Sequence, residues 1–181
     1  MGFKTTVKTI LKKVFGIGPE DISDYRKRGV VIGNNANLFS CELDYGHGYL
    51  ISIGDNCTIV HSTILTHDAS TKMFLGYTKI GRVSIGNNVF IGHGCVILPG
   101  VTIGDNVIIG AGSIVRKDIP SGSVVMGNPA SIVCSLEEYI EKNKEKMKTA
   151  PVYDKYWEDK TKEDIQRIID DLKGGTIGFD L

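Results

Sequence analysis

Four histidines are the side chains of this 181-residue chain best suited to proton transfer near neutral pH. They are His47, His61, His67 and His93. His67 differs from the others because Asp68 follows it directly, and a carboxylate can orient an imidazole that acts as a general base. Taken alone, a histidine–aspartate pair of this kind can also simply cap a loop. What the pair does therefore depends on the elements that position it.

A six-residue repeat surrounds these histidines. An aliphatic residue occupies every sixth position of residues 85–115, namely Ile85, Ile91, Ile97, Ile103, Ile109 and Val115. Glycine usually follows the aliphatic residue directly, as a corner with a permissive backbone would require. A small or β-branched residue lies four positions after each aliphatic residue. Neither a helix nor a single strand has this period. We therefore predict a narrow triangular solenoid that turns a corner every six residues.

The repeat continues upstream with two interruptions. It runs through Ile32, Leu38, Ile53, Ile59 and Leu65, and its phase breaks after Leu38 and again after Leu65. A solenoid accommodates extra residues as loops that leave it at a corner. We therefore expect a first loop at residues 41–49 and a second loop at residues 68–82, which begins directly after His67.

Charge divides the chain into three segments. Residues 1–28 carry seven basic and three acidic groups, residues 29–132 carry five and six, and residues 133–181 carry nine and twelve. We predict an N-terminal helical segment (1–28), a β-solenoid domain (29–132) and a C-terminal helical extension (133–181). No stretch approaches the roughly 18 apolar residues that span a bilayer, so we do not expect an integral membrane protein. We also expect no nucleic-acid partner.

The two ends carry helical patterns. An apolar stripe from Phe3 to Phe15, opposed by lysines, predicts a basic amphipathic helix that ends at residues 16–19. This helix would cover the first coil or a neighbouring subunit, or contact an anionic membrane surface peripherally, and the sequence leaves these alternatives open. At the other end, residues 135–138 and 161–164 resemble capping boxes that begin two helices.

Cysteine placement indicates the compartment. Cys57 and Cys95 occupy the small inward position of their repeats, where we expect small buried apolar residues rather than disulfide partners. This usage is consistent with a reducing environment. The N-terminus, with lysines among its apolar residues, does not resemble a secretory signal. We predict a cytoplasmic protein.

Four short motifs give the repeat region a family resemblance. They are ILPGVTIGDN at 97–106, IGAGSIV at 109–115, KDIP at 117–120 and GNPA at 127–130. With them, residues 30–132 resemble the hexapeptide-repeat acyltransferases, and most of all the galactoside/maltose O-acetyltransferase branch and the sugar acetyltransferases of surface-polysaccharide synthesis. The resemblance implies a left-handed parallel β-helix, a homotrimer and acetyl-CoA bound in the groove between two subunits. We thus predict an all-β solenoid with an N-terminal amphipathic helix and C-terminal helices.

The resemblance also implies roles for single residues. It identifies His67 as the catalytic general base, because the family's catalytic histidine precedes a protruding loop of this kind. Carried over to matching positions, the cofactor contacts are His93, Ala111, Arg116 and Lys117. Arg116 and Lys117 would neutralise phosphates, and the backbone at Ala111 would pair with pantetheine amides. Cys134 stands where a relative carries an arginine, which removes one phosphate partner.

The two loops would line the acceptor side in such an enzyme. The first loop carries polar residues that suit sugar hydroxyls: Glu42, Asp44, Tyr45 and His47. The second loop carries apolar residues that either dock on an adjacent subunit or fold back on their own coil: Met73, Phe74, Leu75 and Tyr77. Whether Asp68 orients the imidazole of His67 also stays open.

We predict an acetyl-CoA-dependent O-acetyltransferase that acts on a sugar or cell-surface polysaccharide precursor and requires no metal. An N-acetyltransferase of an amino-sugar nucleotide is the alternative with the same chemistry. A zinc carbonic anhydrase would need three histidines converging on one metal, and the spacing of His61, His67 and His93 does not resemble that arrangement. A non-catalytic β-helix used for assembly is the remaining class.

Overall fold

The computed structural model describes residues 21–181, and the predicted N-terminal helix of residues 3–15 lies outside them. The described residues divide into two compact units, one that ends at Leu136 and one that spans Glu137–Leu181. Strands β1 to β18 and helices α1 to α4 are numbered in chain order within the described residues. Among these residues, no helix has the length and apolar composition needed to cross a bilayer.

Short parallel strands form three sheets in the first unit. The first sheet contains β1 (Val31–Ile32), β4 (Ile51–Ile53), β9 (Val83–Ile85) and β12 (Thr102–Ile103). The second contains β2 (Asn37–Phe39), β5 (Thr58–Val60), β10 (Phe90–Ile91), β13 (Ile108–Ile109) and β15 (Ser123–Met126). The third contains β3 (Glu42–Leu43), β6 (Thr63–Ile64), β11 (Val96–Ile97) and β14 (Ile114–Val115). Successive strands belong to successive sheets, so each passage through the three sheets forms one coil.

Equivalent residues of successive coils stack on one another. In the first sheet Ile53 pairs with Ile85 and Ile85 with Ile103, and in the second Ile59 pairs with Ile91 and Ile91 with Ile109. All of these side chains are buried in one core cluster. Burial of an aliphatic side chain contributes about 1.5–3 kcal/mol to the stability of the fold. The six-residue repeat therefore marks the residues that form this core. The prediction of parallel sheets with C-terminal helices is confirmed.

The small inward positions are also buried, as predicted. Val89, Cys95, Val101, Val107 and Ser113 are all nearly inaccessible to solvent. Cys57 and Cys95 are free thiols, and burial raises the pKa of both. Their side chains therefore pack as small apolar groups.

One part of the predicted phase is wrong. Leu65 was expected to continue the aliphatic column, but Ile64 pairs with Ile97 and is fully buried, while Leu65 is half-buried. The corner between β5 and β6 is one residue shorter than the six-residue repeat allows. His61 lies at this corner with a left-handed φ of 44°.

The reason for the corner glycines also differs from the prediction. A Cβ atom on Gly54 would lie 2.6 Å from the carbonyl oxygen of Gly86 on the next coil. The left-handed backbone is instead adopted two residues later, by Asn56, Asn88 and Asn106, with φ values of 57°, 55° and 57°. Asparagine tolerates this conformation. Gly54 is therefore required by close packing between coils rather than by backbone freedom.

The described part of the first unit also contains a helix, the two loops and a last strand. Helix α1 (Ser23–Lys27) precedes β1, and the first loop ends in a 3₁₀ turn, Gly48–Leu50. The second loop begins with β7 (His67–Asp68), continues through a 3₁₀ turn (Ala69–Thr71) and α2 (Lys72–Leu75), and returns through β8 (Lys79–Ile80). Strands β7 and β8 are antiparallel, with His67 opposite Ile80. Strand β16 (Ser131–Ser135) closes the second sheet antiparallel to β15.

The second unit contains mainly helices. Helix α3 (Leu136–Met147) leads into it, and β17 (Val152–Tyr153), a 3₁₀ turn (Trp157–Asp159), α4 (Lys162–Asp171) and β18 (Phe179–Asp180) follow. Strands β17 and β18 are parallel. Thr161 and Asp164 form a reciprocal capping box at the start of α4, which confirms that prediction. Apolar residues line α4 and include Ile165 and Ile169, which are about half exposed.

Candidate active site

His67 lies where the chain leaves the coil. Strand β6 ends at Ile64, Thr66 is fully buried, and His67 opens the second loop with a side chain that is 40% exposed. The backbone is held on both sides, because Leu65 N–H donates to Ile97 and Gly81 N–H donates to the carbonyl of Thr66. The backbone of His67 is thus fixed by hydrogen bonds on both sides, while its imidazole is accessible to solvent.

Asp44 is the direct partner of His67. The Nδ1 atom of His67 lies 2.5 Å from the Oδ2 atom of Asp44, whose side chain is completely buried. Asp44 directly follows β3, one coil before His67, and its N–H donates to the carbonyl of Ile64. Stacking of the coils therefore brings two residues together that are separated by 23 positions in the sequence.

The carboxylate of Asp44 is saturated with hydrogen bonds. Its Oδ2 atom accepts from the N–H and the hydroxyl of Thr66 at 3.0 and 2.8 Å. Its Oδ1 atom accepts from the N–H groups of Gly46 and His47 at 3.1 and 3.2 Å. Burial raises the pKa of Asp44, but hydrogen bonds from His67 and Thr66 outweigh it, so the pKa lies well below its ordinary value.

An ionised Asp44 determines what His67 can do. The carboxylate accepts a hydrogen bond from Nδ1–H of His67, which leaves the lone pair of the imidazole on Nε2. The same contact stabilises the imidazolium that forms when Nε2 takes up a proton. The pair therefore has the arrangement of a general base with an orienting carboxylate.

Asp68 has a different role from Asp44. Its carboxylate accepts from Ser70 N–H at 2.9 Å and pairs with the ammonium group of Lys79 at 2.6 Å. The hydrogen bond from Lys79 lowers the pKa of this exposed carboxyl. Asp68 thus ties together the two strands of the second loop, and the orienting contact that we left open for it belongs to Asp44.

The other predicted site residues lie elsewhere on the coils. His93 is exposed and stacks on His61, with ring centroids 4.9 Å apart. Ala111 follows on the next coil, where Gly112 N–H donates to the carbonyl of His93. Arg116 and Lys117 are exposed and come directly after β14. The structure thus groups His61, His93 and Ala111 at one corner, while His67 pairs with Asp44.

The second loop exposes the apolar residues that the sequence singled out. Met73 is 85% exposed, Phe74 82%, Leu75 68% and Tyr77 81%. These side chains do not fold back on their own coil, so that alternative is wrong. These residues form an exposed apolar surface close in sequence to the candidate base. An exposed apolar surface of this kind favours contact with another molecule.

Comparisons with known proteins identify relatives of this chain. Residues 82–117 match the family described as bacterial transferase hexapeptide (six repeats), and this segment contains His93, Ala111, Arg116 and Lys117. Protein CapG of Staphylococcus aureus is 45% identical over 121 residues, which cover 63% of this chain and 70% of that protein.

Two solved structures share the fold. One is a galactoside acetyltransferase in complex with coenzyme A, which is 29% identical with a TM-score of 0.51 over 76% of this chain and 82% of the other. The second is a hexapeptide-repeat acetyltransferase from Vibrio cholerae O1 biovar eltor complexed with acetyl coenzyme A. It is 25% identical with a TM-score of 0.50, over 63% of this chain and 75% of the other.

Proposed function

Because this chain belongs to the hexapeptide-repeat acyltransferase superfamily and is an acetyltransferase, we propose that it transfers an acetyl group from acetyl-CoA to a hydroxyl of a sugar or cell-surface polysaccharide precursor. The observation that carries the proposal is the contact between the buried carboxylate of Asp44 and the accessible imidazole of His67. Complexes of related enzymes with coenzyme A and acetyl coenzyme A support the donor.

The proposed reaction uses His67 first as a base and then as an acid. Nε2 of His67 takes the proton of the acceptor hydroxyl while the oxygen attacks the thioester carbonyl. The tetrahedral intermediate then collapses, the C–S bond breaks, and the proton passes from the imidazolium to the departing CoA sulfur. General acid–base catalysis of this kind typically contributes about 10²–10⁴ in rate.

Asp44 is the positioning residue in this mechanism. Its charge is held by hydrogen bonds from two backbone N–H groups of the first loop and from both donors of Thr66. The carboxylate keeps the imidazole in one orientation and favours its protonated form during the reaction. No step of the proposed reaction requires a metal.

The cofactor contacts in the proposal are His93, Ala111, Arg116 and Lys117. Their exposure on the coils leaves them accessible to a bound molecule. Arg116 and Lys117 carry the positive charge that phosphates need, and Ala111 lies at a corner where its backbone can meet amides of the pantetheine chain. Cys134 in β16 offers no charge, so phosphate binding falls mainly to Arg116 and Lys117.

The proposal also includes the assembly. It takes the coil to be left-handed, the active molecule to be a cytoplasmic homotrimer, and acetyl-CoA to lie in the groove between two subunits. The exposed apolar side chains of the second loop support a contact with an adjacent subunit. The buried free cysteines are consistent with a reducing compartment. Segments 1–28, 29–132 and 133–181 stay the proposed division of the chain.

The experiment that tests the function measures release of the CoA thiol from acetyl-CoA by the full chain. The acceptors are a panel of sugars, amino sugars and nucleotide sugars, and mass spectrometry of the product distinguishes an O-acetyl from an N-acetyl group. We expect thiol release that depends on a hydroxyl-bearing acceptor. A chain that neither releases thiol nor binds acetyl-CoA in calorimetry would contradict the proposal.

A further inference from the structure

A third side chain stands beside the Asp44–His67 pair without a role in the proposed reaction. The Nδ1 atom of His47 is buried and has no hydrogen-bond partner among residues 21–181, and it lies 3.8 Å from Oδ1 of Asp44. The rings of His47 and His67 have centroids 5.4 Å apart. A buried ring nitrogen without a hydrogen bond destabilises the folded state. A bound ligand that contacts this atom would remove that cost.

The three side chains together form a group of potential metal ligands. One ligand atom each from Asp44, His47 and His67 lies within 4.8 Å of the others, and no second group of this kind occurs in residues 21–181. Imidazole nitrogen and carboxylate oxygen are ligands that Zn²⁺ accepts, at about 2.0–2.2 Å from the metal. Tetrahedral ligands at that distance lie about 3.3 Å apart. The Nδ1 atom of His67 lies 2.5 Å from Oδ2 of Asp44, and the Nδ1 atom of His47 lies 3.8 Å from Oδ1, so each imidazole has one carboxylate oxygen near this distance.

The surroundings hold these ligands in position. The N–H of His47 donates to Asp44, and the carbonyl of His47 lies 3.3 Å from the hydroxyl of Thr66. Thr66 and Gly46 donate to the same carboxylate. Hydrogen bonds of this kind orient the first ligands of a metal and raise its affinity. The side chains of His47 and His67 are 30% and 40% exposed, so the group lies close to solvent.

We propose that Asp44, His47 and His67 bind one divalent transition-metal cation of the Zn²⁺ class, and that the bound metal stops acetyl transfer. Binding at Nδ1 requires the other neutral tautomer of His67, so Nδ1 releases its proton and Nε2 takes one up from solvent. Nε2 then carries a proton and has no lone pair with which to accept the proton of the acceptor hydroxyl. The binding itself is independent of the proposed function, and only the inhibition rests on it.

The binding test uses Co²⁺ as a spectroscopic probe on the metal-free full chain. Tetrahedral Co²⁺ absorbs strongly in the visible range, and Zn²⁺ is then added to displace it. We expect one Co²⁺ per chain in wild type. In His47→Gln the affinity for Co²⁺ should be lower by at least about tenfold, because loss of a group that merely hydrogen-bonds to a metal ligand already has an effect of this size.

His61→Gln is the matched control, because it removes a histidine from the separate His61–His93 stack. The proposal requires that this variant binds Co²⁺ as wild type does. Equal Co²⁺ affinity of His47→Gln and wild type would overturn the site, and so would loss of binding in His61→Gln.

The inhibition test compares acetyl transfer with and without added Zn²⁺, each variant relative to its own metal-free rate. Wild type and His61→Gln should lose activity over the concentration range in which Zn²⁺ displaces Co²⁺, and a chelator should restore it. His47→Gln should need at least about tenfold more Zn²⁺ for the same loss. Full activity of a wild-type chain that holds one Zn²⁺ would overturn the inhibitory role. A chain without acetyltransferase activity would refute the function and leave the Co²⁺ result to decide the site.

Discussion

At the scale of single residues, the partner of His67 is one coil away rather than next to it in sequence. The sequence places His67 correctly at the point where the second loop leaves the coil. It does not identify Asp44 as the partner of His67, because the sequence separation between stacked residues depends on how many residues each loop inserts. Leu43 pairs with Ile64 in the structure, and this register aligns Asp44 with the residues before His67. With the repeat continued through Leu65 instead, the alignment is shifted by one residue.

The two aspartates make a matched test of this assignment. Asp44→Asn should lower kcat roughly 10²–10⁴-fold, because an amide leaves His67 without its anionic partner. Asp68→Asn should leave kcat within a few-fold of wild type, since that carboxylate contacts Lys79 and Ser70. The measurement is steady-state thiol release with both substrates varied. Equal losses in the two variants would mean that Asp44 does not orient the imidazole.

The low pKa of Asp44 also predicts how stability depends on pH. The carboxyl of Asp44 has a pKa in the folded state below its unfolded value of about 3.9. Its contribution to the free energy of unfolding is therefore present above about pH 4 and is lost as the pH falls through the folded-state pKa. In urea unfolding at decreasing pH, wild type should lose more stability than Asp44→Asn. Parallel curves for the two proteins would show that the carboxylate contributes nothing.

At the scale of elements, the sequence predicts the coils well because their core repeats. Each aliphatic position pairs with its equivalent on the next coil, so one pattern reports many contacts at once. The corners are harder to interpret. Glycine there indicates either a special backbone or a close approach, and only the structure distinguishes the two. The corner between β5 and β6 is shorter by a residue, and no local signal in the sequence reports it.

Close packing at the corners predicts a difference between two glycines. Gly54→Ala should destabilise the protein by about 1–3 kcal/mol, the usual cost of overpacking, because the new Cβ would lie 2.6 Å from backbone on the next coil. Gly46→Ala is the control, since a Cβ there meets no atom of the described part of the chain within 4 Å. Urea unfolding of both variants measures the difference. An unchanged free energy of unfolding in Gly54→Ala would contradict the close approach.

At the scale of the whole molecule, the second loop is the part of the chain through which the proposed homotrimer would form. The sequence predicts a protruding apolar loop, and the structure exposes Met73, Phe74, Leu75 and Tyr77. The sequence of one chain does not identify the molecule that would cover these side chains, because a contact with a partner produces no repeating pattern in the sequence. The proposed homotrimer supplies that partner.

The assembly can be tested at the most exposed of these side chains. Sedimentation equilibrium of wild type should give the mass of three chains, whereas Met73→Ser combined with Phe74→Ser should shift the equilibrium towards single chains. Burial of these two side chains would contribute about 1.5–3 kcal/mol each. Ile177→Ser, at an exposed position of the second unit, is the control and should remain trimeric. A monomeric wild type would refute the trimer, and an unchanged variant would refute the role of the loop.

The central claim is that His67 is the general base of an acetyltransferase, and one comparison tests it most directly. The measurement is kcat for acetyl transfer by wild type, His67→Ala and the control His61→Ala, with acetyl-CoA affinity determined for each by calorimetry. We expect kcat of His67→Ala to fall roughly 10²–10⁴-fold with unchanged acetyl-CoA affinity, while His61→Ala keeps the wild-type kcat. Near-wild-type turnover by a His67→Ala chain that still binds acetyl-CoA would contradict the account.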